Sequence, residues 1–332
     1  MQPLSRRSFL FAAGASLVGM TSVGSFLSCW SEKAWAGKGP QISMQAAWVN
    51  DAEFLGYFVA IENGYYKNEN IDFRYFPGGP DIVADTVLLS GKCDIALTTP
   101  DGTVNAIMKQ KAPLKIIGTQ YQKSPLGIVS LKKNKITEPK DLVGKRLAVP
   151  AANVLTTRAF LKLNQVDHND VKFVPYTYDP RLLTSGAVDA TVDFVTNVPY
   201  SIRLNKEEPT SFLFYDFGFR LFMDTVVVTD QVLRSKRKEL IAFLRASRKG
   251  WEENFRDFKK YPPLFKNSWF KGNGRAMDNE IYFNEEQKPL IESVNGIFSM
   301  SESAINDNIE ALKAIGLDAT PEMFFTELLR DV

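Results

Sequence analysis

From Gln41 onward, short β-branched or apolar runs alternate with longer segments of helical period, and this alternation limits the fold more than any other feature. Runs at 42–47, 71–75, 94–97 and 114–118 read as strands, with helical patterns at 55–63, 80–90 and 101–109 between them. A helix between two strands carries the chain back over the sheet and makes the strands parallel neighbours, so the fold class is α/β, not all-β or all-α. A second series begins near Ile136: a helix start at Pro139-Lys140-Asp141-Leu142, strands at 146–149, 171–174 and 190–194, and helices at 155–164 and 180–185. Another strand is expected at 224–228, and beyond Lys236 the pattern is mainly helical.

The first 36 residues read as an address and are set aside from the fold. Ser5-Arg6-Arg7-Ser8-Phe9-Leu10 places a twin arginine directly before an apolar stretch reaching about Leu27, with Gly14, Ala15, Gly19 and Gly24 spaced through it. This is similar to a twin-arginine export signal. Ala34-Trp35-Ala36 supplies the small-x-small pattern that a signal peptidase accepts, so the mature chain is expected to begin at Gly37, in the periplasm or another extracytoplasmic compartment. Two alternatives stay open. The apolar stretch is nearly long enough to remain as a membrane anchor, and Phe26-Leu27-Ser28-Cys29 is similar to a lipoprotein box in which Cys29 takes the lipid.

Removing that segment from 332 residues leaves about 296, which suits two lobes of roughly 100 to 190 residues each. The expected division is 37–130 for the first part of lobe 1, 131–223 for an inserted lobe 2, and 224–332 for the return to lobe 1 with C-terminal helices. An insertion needs two crossings, expected at 127–131 and 224–229, and two such connections allow hinge closure around a ligand. Only Cys93 survives cleavage, so stability rests on burial without an intrachain disulfide. Lys+Arg of 40 against Asp+Glu of 38 lacks the basic excess of a nucleic-acid partner, and a monomer is expected.

Candidate ligand groups gather where strands run into helix N-termini, since open α/β sheets bind outside their strand ends. The junctions are 48–54, 77–81, 98–101, 150–156, 176–179 and 193–197. Trp48, Phe54, Tyr57, Tyr121, Tyr176, Tyr178 and Phe194 supply rings suited to sandwiching a flat ligand, though some must be core. Asn50, Thr98, Thr99, Asn153 and Asn197 offer donors and acceptors without formal charge, with capping or solvation as the competing explanation. Gly78 and Gly79 let backbone approach a ligand, or simply form a turn between Pro77 and Pro80. Asp51 and Asp193 join the ligand set, and Asp81 and Asp101 are read first as caps of the helices that follow them and second as acceptors for ligand N–H groups.

The segment from Trp48-Val49-Asn50-Asp51-Ala52-Glu53-Phe54-Leu55-Gly56-Tyr57-Phe58 to Glu62-Asn63-Gly64-Tyr65-Tyr66 carries a resemblance, as do Pro77-Gly78-Gly79-Pro80-Asp81, Ser90-Gly91-Lys92-Cys93-Asp94-Ile95-Ala96, Leu142-Val143-Gly144-Lys145-Arg146 and Ser185-Gly186-Ala187-Val188-Asp189-Ala190. Together they resemble the type 2 periplasmic binding proteins of the thiamine-pyrimidine and aliphatic-sulfonate transporter family. The resemblance implies mixed sheets flanked by helices in two lobes, with a ligand cleft between them. It also implies delivery to an ABC transporter permease and its ATPase; the N-terminus adds the twin-arginine export machinery. No cofactor or metal is expected.

Catalysis has no support in the sequence. The one histidine, His168, sits in the polar run Val166-Asp167-His168-Asn169-Asp170, and no nucleophile elbow, P-loop or Cys/His metal spacing occurs. Yeast-type thiamine pyrimidine synthases share the implied fold but use a first-loop histidine and a cysteine-rich segment; here Phe54 stands at the histidine position and Cys93 is alone. For the ligand, the aromatic rings with Asp51, Glu53, Asp81, Asp101 and Asp193 favour a thiamine-precursor aminopyrimidine or related flat heteroaromatic. Helix N-termini with Arg158 or Arg181 keep a sulfonate or nitrate open, and a sensor feeding a membrane receptor is a further alternative.

Overall fold

The computed structural model describes residues 39–332 apart from Pro80 and Thr177, so the signal, anchor and lipid-box readings at the N-terminus lie outside the described residues. Two five-stranded mixed sheets form the framework. In the first, β1 (Gln41–Gln45) runs parallel to β2 (Asp72–Phe76) and β3 (Ile95–Thr98). The far edge is β4 (Leu114–Tyr121). In the second, β5 (Leu126–Leu131) pairs antiparallel with β8 (Ala190–Phe194), which is parallel to β6 (Arg146–Val149), and β6 is parallel to the edge strand β7 (Lys172–Pro175). β9 (Pro209–Leu213) closes the other edge beside β5, and β10 (Met223–Thr229) returns to the first sheet between β3 and β4.

The crossings therefore differ from those expected. Segments 127–131 and 224–229 lie inside strands, and the chain passes between sheets through 122–125 and back through 214–222. These two passages touch: the Ser124 amide donates to the Leu221 carbonyl at 2.9 Å, and the Phe214 amide donates to the Leu126 carbonyl at 3.1 Å.

Most predicted elements occur within a residue or two of their expected places. The helix expected at 80–90 shortens to Ala84–Leu89, and Pro139–Leu142 is a single 3-10 turn. The helix Val198–Leu204 and the strand β9 have no counterpart among the expected elements, and each carries a proline, Pro199 and Pro209. Both prolines stand at element starts, where a missing N–H costs little.

The C-terminal third is helical and packs back on lobe 1. The helix Arg237–Arg256 crosses the helix Leu55–Glu62 at glycines: a Cβ on Gly250 would strike the Gly56 carbonyl, and one on Gly56 would strike the Trp251 ring. This close crossing seats Trp251, Tyr57, Phe58 and Phe243 in the core at 0 % exposure. The helix Met277–Ile291 lies against the turn at Ala52–Phe54, with Gln287 Nε2 donating to the Ala52 carbonyl at 2.7 Å.

Candidate functional site in the interlobe cleft

On lobe 1, β1 runs out through Trp48 to Asp51, whose carboxylate accepts the Glu53 amide at 2.9 Å and caps the 3-10 turn Ala52–Phe54. The turn is held from behind. Glu280 accepts the Ala52 amide at 2.8 Å and the Asn273 side-chain amide at 2.8 Å, while Asn273 also donates to the Asn50 carbonyl. Arg275 Nη2 lies 3.0 Å from Asp51 Oδ2, an ion pair in which the Asp51 side chain is wholly buried. Gln120 ties in the neighbouring acids, its Nε2 donating to the Glu53 carbonyl at 2.8 Å and to Asp224 Oδ2 at 3.1 Å.

Burial governs the protonation of this group. It raises Asp51 against the opposing pull of Arg275, and it raises Glu53 further, helped by the charges of Asp224 and Asp51. Asp224 is pushed up to about 7, and Glu280 to about 7 by burial and then Asp51. Burial opposes the charge on Arg275, but Asp51, Glu280, Glu53 and Asp193 outweigh it and keep the guanidinium charged.

On lobe 2, β8 carries Asp193 next to its last residue, and Asp193 accepts from the Tyr176 hydroxyl at 2.8 Å and from the Phe194 amide at 2.8 Å. Burial pushes Asp193 up to about 6 and raises Tyr176, aided by the Asp193 charge. Tyr178 stands 54 % exposed with φ of 61°, a left-handed backbone costing a bulky residue roughly 1 kcal/mol. Its ring centroid lies 5.6 Å from that of Tyr176 and 6.3 Å from that of Trp48 across the cleft. The lobes meet again where the Tyr200 and Tyr282 rings lie 5.5 Å apart and Arg203 covers Tyr282 at 5.1 Å.

The structure brings Trp48, Asn50, Tyr176 and Asp193 near this cleft, Tyr176 at 4 % and Asp193 at 7 % exposure, with Asn50 Oδ1 accepting from the Tyr75 hydroxyl at 3.0 Å; Asp51, expected as a ligand contact, is instead wholly buried between the Glu53 amide and Arg275. Asn197 begins the helix Val198–Leu204 just past Asp193, and its side-chain oxygen is buried without a hydrogen-bond partner among the described residues. Gly78 packs backbone on backbone: its amide donates to the Trp48 carbonyl at 2.9 Å, and a Cβ there would strike Ala46 O. Gly79 has room, with only Val49 Cγ1 near, at 3.9 Å.

Several expected contacts are corrected. Phe54, Tyr57 and Tyr121 are core side chains at 0 % exposure, and the Tyr121 hydroxyl donates to Gln287. Thr98 turns its hydroxyl to Thr103 of the following helix and to Thr225 of β10. Neither Asp81 nor Asp101 is a helix cap: Val83 precedes Ala84–Leu89 without a side-chain cap, and Thr99 caps Pro100–Gln110 through the Gly102 amide. Asp81 is exposed and Asp101 half-buried in that helix's first turn. Asn153 ends the turn Ala151–Asn153, with its carbonyl accepting from Thr157. Arg275, Glu280 and Asp224 were not singled out from the sequence; the Gly272-Asn273-Gly274-Arg275 loop, with both glycines at positive φ, was the available cue.

Among solved structures, the periplasmic aliphatic sulphonate binding protein SsuA from Escherichia coli superposes with a TM-score of 0.64 at 13% identity, covering 82% of this chain and 91% of that one. The desulfurization enzyme DSZB superposes at 0.55 and 10% identity, covering 88% and 98%, so the fold also carries catalysis. In sequence, the chain is 25% identical over 222 residues to the formylaminopyrimidine-binding protein of Halalkalibacterium halodurans, covering 64% of this chain and 65% of that protein. It is 21% identical over 216 residues to the riboflavin-binding protein RibY of Chloroflexus aurantiacus, covering 63% and 61%. The chain thus spans under two thirds of the length of these curated relatives. With its two mixed sheets in the periplasmic binding protein fold, and residues 51–257 matching the family described as NMT1/THI5 like, the chain belongs to that family.

Proposed function

We propose that this chain is an extracytoplasmic solute-binding protein that captures a small flat heteroaromatic nutrient between its lobes and delivers it to the permease and ATPase of an ABC transporter. The observation that carries this reading is the aromatic pair across the cleft, Trp48 of lobe 1 and Tyr178 of lobe 2, backed by Tyr176 and the buried Asp193. Rings from both lobes bury a flat ligand only when the lobes close, which couples occupancy to shape. Two relatives are named for binding formylaminopyrimidine and riboflavin, both heteroaromatic. Trp48, Asn50, Tyr176, Asp193 and Asn197 are the proposed contacts, and the paired passages 122–125 and 214–222 are the proposed hinge.

The reading is one of binding without turnover. Cys93 is buried before β3, its thiol pushed up to about 11 by burial, and His168 lies on a half-exposed turn of the other lobe, so the two do not form a nucleophile–base pair. Asp193, pushed up to about 6, is still ionised at neutral pH, and its charge weighs against a sulfonate or nitrate beside it. A thermal-shift panel of aminopyrimidines, thiamine, riboflavin, alkanesulfonates and nitrate tests the reading. A true ligand at 100 times its Kd adds about 2.7 kcal/mol, a rise of several degrees. Response to sulfonates or nitrate alone would overturn it in favour of anion capture.

A further inference from the structure

The electrostatics and ring angles of the cleft go beyond shape and bear on the charge of the ligand. Resting on the heteroaromatic reading above, we infer that the cleft takes its ring as a cation. The aromatic walls are tilted: Trp48 and Tyr178 meet at 59°, and Tyr176 and Tyr178 at 50°. A neutral flat ring gains most between parallel faces, whereas inclined faces form the corner of an aromatic box, where several π-clouds face one positive centre. Behind that corner lies Asp193, 7 % exposed, accepting from the Tyr176 hydroxyl and the Phe194 amide.

A second observation, independent of the rings, points the same way. Just past Asp193, Thr196 Oγ1 and Asn197 Oδ1 are buried with no hydrogen-bond partner among the described residues, and Thr196 is 0 % exposed. The amide oxygen of Asn197 can only accept, and the Thr196 hydroxyl can do so, so both suit ligand N–H groups. On the facing lobe, Arg275 lies 3.0 Å from Asp51 Oδ2 and is committed to that pair, so it offers the ligand no free positive charge. A cationic ring with N–H donors answers the aromatic corner, the orphaned acceptors and the Asp193 carboxylate together.

The test uses the full chain and two probes sharing one ring: 4-amino-2,5-dimethylpyrimidine, neutral in water at pH 8, and its N1-methylpyrimidinium salt. Calorimetry in buffers of differing ionisation enthalpy should show uptake of about one proton per neutral probe bound. The methylated cation should bind at least ten-fold more tightly than the neutral probe and exchange no proton. Asp193→Asn, with folding checked by circular dichroism, should abolish that preference and the proton uptake. Binding of the neutral probe without proton uptake, with the cation weaker, would overturn the charge inference and leave the heteroaromatic reading standing. Failure of both probes alongside binding of an alkanesulfonate would overturn the two together.

Discussion

Arg275 and Asp51 form an ion pair at 3.0 Å in which the carboxylate is wholly buried and the guanidinium side chain 22 % exposed. Replacing Arg275 with Met would leave Asp51 buried without its counter-charge, in a group that already holds Glu53 and Glu280. Breaking one side of a buried pair costs about 3 to 5 kcal/mol, and Arg275→Met should lower the denaturation midpoint accordingly. Adding Asp51→Asn to Arg275→Met should recover a large part of the loss. An Arg275→Met variant as stable as the parent in urea would show that Asp51 is neutral and the pair structurally idle.

The buried acids also set the pH dependence of stability. Asp193 titrates near 6 and Asp224 and Glu280 near 7, all raised by burial, against about 4 in an unfolded chain. Between about pH 4 and 7 the folded protein therefore binds more protons than the unfolded one, and stability falls as pH rises through that window. The apparent Tm is expected to be several degrees higher at pH 5.5 than at pH 8. A Tm that climbs from 5.5 to 8 would contradict these protonation states.

Adjacent glycines should respond in opposite ways. A methyl group at Gly78 would collide with Ala46 O and the Trp48 amide, so Gly78→Ala should displace the Trp48 backbone and weaken both folding and ligand binding. At Gly79 the added Cβ meets only Val49 Cγ1 at 3.9 Å, and Gly79→Ala should leave Tm within a degree or two of the parent. Equal tolerance at both positions would show that the 77–79 loop does not pack on the Trp48 backbone as described.

Cleft rings and core rings should separate by readout. Tyr57→Ala removes a ring at 0 % exposure lying against Phe243, Trp251 and Phe298 and should cost about 3 to 5 kcal/mol of stability. Tyr178→Leu, at a half-exposed position, should leave the denaturation midpoint near the parent's while weakening ligand affinity by ten-fold or more. A destabilised Tyr178→Leu with unchanged affinity would place that ring in the scaffold.

The fold was more legible than the site, for a physical reason. Strands such as Arg146–Val149 and Ala190–Phe194 are local apolar runs, and their bounds follow from the chain itself. Tyr57 and Tyr178 look alike in sequence, each aromatic and near a strand–helix junction, yet one is sealed under the helix Arg237–Arg256 and the other stands 54 % exposed beside Trp48. The difference comes from packing by segments far along the chain. The same holds for Arg275 and Glu280, which reach Asp51 and Ala52 only because the C-terminal helices fold back over lobe 1. The strand Pro209–Leu213 was hidden by its proline and polar composition, both tolerated at a sheet edge.

If the cleft between Trp48 and Tyr178 binds a flat heteroaromatic molecule, removing the Trp48 ring must abolish that binding. Isothermal titration of the full chain and of Trp48→Ala with an aminopyrimidine tests it most directly. The parent should bind saturably at one to one, and Trp48→Ala should lose at least a hundred-fold in affinity with the Tm of the unliganded protein little changed. Equal affinity in the two proteins would contradict it by placing the ligand elsewhere.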